Sequence, residues 1–296
     1  MENPTRGILL LLAAILCFSV SDVLAKILGA DLPVLEIGFI RYCTCLVAVL
    51  MVGWRHGRVR LRVRHPVIQI IRGATLAVSA LMFILALRFM PLADAAAVGF
   101  VTPLLITALS VPMLGEIVGI RRWSAVAVGF VGVLIVIRPG LGAFQWAALL
   151  VVGSSFSWAV ASILTRRIAG REDAAATMLW AALVGLAALT IAVPFVYITP
   201  TWQQLGLNVA LGLLVTVGQY WMLVAYRHAS VSLLAPFNYV QLIWSTASGY
   251  LVFDTLPDRM TMLGAAIITA SGLYTVHRER VRAREARQAR TMEPAA

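Results

Sequence analysis

Phe237, Gln241, Trp244 and Ser248 recur at intervals of four, three and four residues, so on a helix they share one face. Asn238 and Ser245 widen that face. An amide in apolar surroundings costs free energy unless it is hydrogen-bonded. Two readings of the stripe stay open: polar side chains joining one helix to another, or a wall that hydrogen-bonds the amino or carboxyl group of a solute beside an aromatic contact. Residues of the same types stand on other segments: Thr75, Ser79 and Phe83; Phe100 and Thr102 just before Pro103; Ser154, Trp158 and Ser162; and Thr216, Gln219, Tyr220 and Trp221. Gln219 and Tyr220 are neighbours in sequence, so at most one of them is central. This is binding chemistry rather than bond-breaking chemistry.

Ionisable groups in apolar segments are few. Asp22 and Lys26 stand four apart, a spacing at which they would pair on a helix. Glu36, Arg41 and Arg72 follow, with Lys26, Glu36 and Arg72 near segment ends, where long side chains reach the interface. Asp22 and Arg41 lie deeper. A charge at membrane depth is a functional hypothesis by default, so both are candidates for coupling to an ion, against the alternative of a structural ion pair. Asp94 follows Pro91 and reads as a helix cap. No phosphate-binding loop, HExxH pair or Ser-His-Asp set occurs, so the chain is expected to be no enzyme and to use no cofactor, metal or ATP.

The elements that position these residues are helices in lipid. Of 296 residues, 61% are hydrophobic and 12% charged, against about a quarter charged in soluble domains. The net charge of +11 sits in loops and the tail, which argues for membrane orientation and against nucleic acid. Cys17, Cys43 and Cys45 fall inside apolar stretches as small fillers. Segments of the length a bilayer requires fall at about 7–28, 34–54, 67–88, 92–113, 122–138, 144–168, 174–198, 205–226, 230–253 and 259–277. The expected fold is therefore all-α and integral to the membrane, with ten spans. Arginines at 55–64, 121–122, 166–171 and 278–290 then share one side, which puts both termini in the cytoplasm and the chain in the cytoplasmic (inner) membrane. Trp180 and Trp202 read as interfacial belts.

The chain also repeats. Ala86-Leu87-Arg88-Phe89-Met90-Pro91 has its counterpart in Ala225-Tyr226-Arg227-His228-Ala229-Ser230, Arg88 and Arg227 being 139 residues apart. Five spans per half would make the second repeat enter the membrane from the opposite face, an inverted repeat with its site at the midplane. The expected division is a first repeat over 1–140, a second over 141–277 and a basic cytoplasmic tail over 278–296. Small residues at Ala125, Gly129 and Gly132, and at Ala266 and Ala270, are expected to form a close helix pair or an oligomer contact, leaving both monomer and homodimer open.

The run from Ala86 to Pro103, with Leu114-Gly115-Glu116, Arg121-Arg122-Trp123, Gly129 and Gly132-Val133, resembles the EamA-type repeat of the drug/metabolite transporter superfamily. Phe39-Ile40-Arg41-Tyr42 resembles its second-helix signature, and Phe253-Asp254, Gly264 and Gly272 a looser second copy with Asp254 where Glu is usual. The resemblance implies a ten-helix secondary carrier. Its cavity would be lined by the third, fourth, eighth and ninth helices, with help from the first and sixth. It also suggests export of a small-molecule metabolite, most nearly an amino acid, neutral or aromatic.

Overall fold

The computed structural model describes residues 4–55, 63–115, 119–138, 146–168, 172–229 and 231–292. Glu116, Pro139, Gly140, Arg171 and most of the basic loop after residue 55 lie outside them. Among the described residues every regular element is helical: α1 (Pro4–Asp31), α2 (Val34–Arg55), α3 (Pro66–Leu87), α4 (Leu92–Gly99), α5 (Thr102–Leu114), α6 (Ile120–Ile137), α7 (Trp146–Ile168), α8 (Ala174–Ala192), α9 (Trp202–His228), α10 (Val231–Leu234), α11 (Val240–Phe253) and α12 (Arg259–Met292), with 3-10 turns at Val193–Phe195 and Ala235–Tyr239. Seven of the resulting rods are long and apolar enough to cross a bilayer, α4 and α5 together counting as one. The basic tail continues α12.

Two rods are interrupted. Pro103 at the second position of α5 has no N–H to give, and the chain between α4 and α5 turns at Phe100 and Val101. The counterpart is the 3-10 segment between α10 and α11, which carries Pro236. A polar wall read as one continuous helix over 230–253 is therefore split: Phe237 and Asn238 lie in the 3-10 turn, and Gln241, Trp244, Ser245 and Ser248 lie on α11.

Packing crosses between the halves. α1 packs on α9, as α7 packs on α3; α2 packs on α9, as α8 packs on α3; α2 meets α8, α4 meets α11, and α6 meets α12. Exchanging the halves swaps the members of the first two pairs and maps the last three contacts onto themselves. The mapping holds for single residues at the spacing of 139. The Ser271 hydroxyl donates to the Ala125 carbonyl at 2.5 Å. The equivalent positions, Gly132 and Gly264, approach so closely that a Cβ on Gly132 would lie 2.9 Å from the Gly264 carbonyl oxygen. The α12 face against α6 is thus Gly264, Ile268 and Ser271, while Ala266 and Ala270 are exposed. Helix phase decides this: residues four and three apart face one partner, and 266 and 270 point elsewhere.

The main core joins α1, α3, α4, α5, α6 and α7 through Leu28, Ile84, Leu87, Leu92, Val98, Leu104, Val133, Val136 and Val151. A smaller core seats Leu11 and Ile15 of α1 against Ala225, Ala229 and Leu234.

Candidate functional site at the helix breaks

The two interruptions meet. The Phe100 and Tyr239 rings stack with centroids 4.8 Å apart and planes 28° from parallel. These residues are 139 apart, so the rods touch through equivalent positions. Around the stack, Thr102 donates to the Gly99 carbonyl at 2.7 Å, satisfying a group the break frees. Phe83 packs on the main core and Phe237 on the smaller one, both half-buried.

Beside the stack runs the α1–α11 seam. Leu11, Ile15, Ser19, Asp22 and Lys26 recur at helical spacing, and the smaller core, Gln241 and Phe253 meet successive members of the stripe. The Gln241 amide Nε2 donates to the Asp22 carboxylate at 3.4 Å. Arg41 of α2 acts on Asp22 electrostatically without a direct ion pair and lies over the Tyr42 ring, 5.5 Å from its centroid. Ser19 and Ser245, on the two sides of the seam, are buried with hydroxyls that have no hydrogen-bond partner among the described residues.

Lys26 does not pair with Asp22. Its ammonium donates to the carbonyls of Met90 at 2.6 Å and Leu87 at 3.2 Å, and sits 5.3 Å from the Phe253 ring centroid. The C-terminal end of α3 offers partial negative charge and unbonded carbonyls, and the ammonium takes both. Nor is Asp94 a cap: Pro91 occupies that position, and Asp94 lies buried in the first turn of α4, where the helix dipole favours an anion.

The other sequence candidates differ in burial and in partners. Ser79 is buried and hydrogen-bonds Ser154 across α3 and α7, hydroxyl to hydroxyl at 3.1 Å and Ser154 hydroxyl to Ser79 carbonyl at 2.8 Å, the geometry of helix joining. Trp158 and Gln219 are half-buried, Trp244 is 39% exposed and Tyr220 57% exposed, so of the adjacent pair Gln219 is the inner one. Asn238 is half-buried in the 3-10 turn. Cys17, Cys43 and Cys45 are free and half-buried.

Sequence reasoning missed Tyr239, Gln69, Asn208 and Glu172. Tyr239 needed only the spacing of 139 applied to Phe100. Gln69 is fully buried and donates to the Thr177 hydroxyl at 3.1 Å beside Arg72, which donates to the Thr165 hydroxyl at 2.7 Å and the Thr177 carbonyl at 3.1 Å. The position 139 residues after Gln69 is Asn208, also fully buried. Glu172 accepts from the Arg64 and His65 amides at 2.7 and 2.9 Å, tying α8's entry to α3's. Glu36, in the first turn of α2, accepts from the Ile198 amide at 3.1 Å, just ahead of α9. The α8–α3 and α2–α9 tethers are the same device in the two halves. Outside the helical spans, Asp258 caps α12 through the Thr261 amide at 2.8 Å and pairs with Arg138. The Arg138 guanidinium hydrogen-bonded to it pulls the Asp258 carboxyl down to about 2.

Known proteins resemble the chain over nearly its full length. A Rickettsia prowazekii S-adenosylmethionine uptake transporter is 26% identical over 95% of this chain and 95% of its own. A Rhizobium johnstonii riboflavin transporter is 30% identical over 96% of each, and a Pseudomonas aeruginosa pseudopaline exporter 27% identical over 90% of this chain and 94% of its own. A solved crystal structure shares the fold with a TM-score of 0.66 at 20% identity, covering 91% of this chain and 96% of that one. The model of the EamA-like transporter family matches residues 5–138 and again 145–276. The chain is a multi-pass membrane protein that belongs to the EamA-like transporter family.

Proposed function

We propose that the chain crosses the cytoplasmic membrane ten times as two inverted five-helix repeats, with both termini in the cytoplasm, and carries a small solute by alternating access. The observation that carries this reading is the stack of Phe100 on Tyr239, equivalent residues of the two halves meeting where two rods break. A broken helix at membrane depth is tolerated where it lines a cavity or is covered by protein, and carriers built of inverted repeats place their sites at such breaks.

The groups close to the breaks favour a solute with a flat or apolar part and a hydrogen-bonding head. Phe100, Tyr239 and Phe237 supply aromatic surface; Thr102, Asn238 and Gln241 supply polar contacts. An amino acid, neutral or aromatic, fits that description, and so does a larger metabolite with an aromatic ring system. The relatives are named for uptake in one case and export in another, in keeping with a carrier whose net direction follows the solute gradient.

The test is counterflow in liposomes. Purified protein is reconstituted with an unlabelled mixture inside, and entry of labelled phenylalanine, tryptophan, threonine, glutamate, S-adenosylmethionine and riboflavin is followed. Saturable entry of some and not others supports a selective carrier. Entry of S-adenosylmethionine or riboflavin alone would remove the amino-acid assignment and keep the carrier. Entry of none, from folded protein, would overturn the carrier reading for all these solutes.

A further inference from the structure

We infer that Asp22 is the proton-carrying residue of this protein, a reading that rests on the carrier function proposed above. Within the seven apolar spans, Asp22 is the carboxylate farthest from a helix end; Glu36 and Asp94 stand in first turns and Asp31 closes α1.

Its surroundings serve both protonation states. The ionised form has a donor in the Gln241 amide and a countercharge in Arg41. The protonated form needs an acceptor for its own O–H, and the two helices of the seam carry the Ser19 and Ser245 hydroxyls, one turn along from Asp22 and Gln241, buried and without partners among the described residues. A carboxylate serving only as a structural anchor would be saturated with donors in one state; among the described residues this one receives a single bond, of 3.4 Å.

Comparison within the chain separates this from packing. The positions equivalent to Asp22, Gln241 and Arg41 are Ala161, Thr102 and Trp180. The α7 seam against α4 and α5, equivalent to the α1 seam against α11, closes on alanine. The scaffold does not require a carboxylate at this place.

The other neighbours of Asp22 leave it to these partners. α2 presents Arg41, and α11 presents the neutral Gln241. The charges of α3 and α4 are displaced along α1: Lys26 is held by α3's terminal carbonyls and feels Asp94, and Arg88 lies against Gly29. α9 meets α1 through Gly218 against Ala14 and Phe18; α10 and the 3-10 turn meet it through Leu234 and Phe237, while Tyr239 of that turn faces Phe100. Adding a proton cancels the attraction to α2 and makes the carboxyl a donor across the seam. The proton thereby changes how α1 holds α11, the rod whose broken end stacks on Phe100.

The test pairs a flux measurement with one that needs no solute. In proteoliposomes, whichever labelled probe above shows counterflow is followed with and without an imposed difference of one pH unit. Wild type should accumulate it up to roughly ten-fold for one proton per solute. Asp22→Asn should keep counterflow and lose accumulation, and Asp22→Glu should keep both. In purified protein, pH-difference infrared spectra should show the C=O stretch of a protonated carboxyl in wild type, absent from Asp22→Asn. Wild-type counterflow indifferent to pH overturns this inference alone, and so does accumulation driven by sodium instead. Accumulation retained in Asp22→Asn, an unchanged infrared band in that variant, or loss of counterflow from folded Asp22→Asn also overturns it. If no probe shows counterflow, the carrier reading fails for those solutes and the infrared arm still decides whether Asp22 takes a proton.

Discussion

The seam between α1 and α11 and its counterpart between α7 and the α4–α5 pair are built on one plan and filled with different chemistry. One holds Asp22, Gln241 and, from α2, Arg41; the other holds Ala161, Thr102 and, from α8, Trp180. A second pair of regions repeats the contrast: Gln69 and Arg72 in the α3–α7–α8 cluster against Asn208 and Leu211 in α9–α1–α2. Where the halves agree, at Phe100 and Tyr239 or in the small residues Ala125 with Gly264 and Gly132 with Ser271, the residues are those that let helices approach or break. Where they differ, one half has a charge the other half manages without. Helix geometry is thus set by shape, and the unshared charges are free to serve a gradient or a solute.

The largest expected effect breaks the shared part. Gly132→Leu or Gly264→Leu drives a side chain into the opposing backbone and should cost about 3 kcal/mol or more each. Both should fall out of the monodisperse fraction on size exclusion; tolerance of either would show that the α6–α12 contact can yield there. Next is Arg72→Leu, which copies Leu211. It removes bonds to Thr165 and Thr177 and should cost roughly 1–3 kcal/mol in thermal unfolding, since it takes the donor away from a buried carbonyl. No loss would mean that Arg72 is held for function.

The aromatic pair sharpens the comparison. Phe100→Ala and Tyr239→Ala should show a coupling of about 1 kcal/mol in a double-mutant cycle. Additivity would mean that the breaks are held by their own halves. The smallest effect concerns the N-caps of α12 and α6, Asp258 and Gly119, again 139 apart. Asp258→Gly should cost a few tenths of a kcal/mol, since glycine already caps α6. The Asp258 carboxyl is depressed in the fold, so its contribution is complete above the ordinary aspartate value of about 4. It fades as pH falls from there through about 2, and the acid limb of wild-type unfolding should lie at higher pH than that of the variant in relative terms.

Most of the helical course was legible from hydropathy alone, because every backbone group in lipid must be bonded within its own segment. Pro103 marked one break; the other, at Pro236, was passed over when 230–253 was read as one helix. Their meeting was not legible from periodicity, which describes one helix at a time. The spacing of 139 carried that information, and applying it from Phe100 reaches Tyr239. The same spacing from Ala125, Gly129 and Gly132 reaches Gly264, Ile268 and Ser271; choosing by size alone reached Ala266 and Ala270 on the wrong face. Lys26 was misjudged for another reason. Its partners are backbone carbonyls at the end of α3, and an acceptor with no side chain leaves no mark in the sequence.

The crossed packing of α1 and α2 with α9, and of α3 with α7 and α8, also governs biosynthesis. α1 leaves the ribosome long before α9 and α11 exist, so Asp22 waits without its final cover until residue 241 has been made. Neither half is a unit that folds first and receives the other; the chain matures by late exchange of third helices. Two half-length chains made separately should each be labile, and made together should assemble.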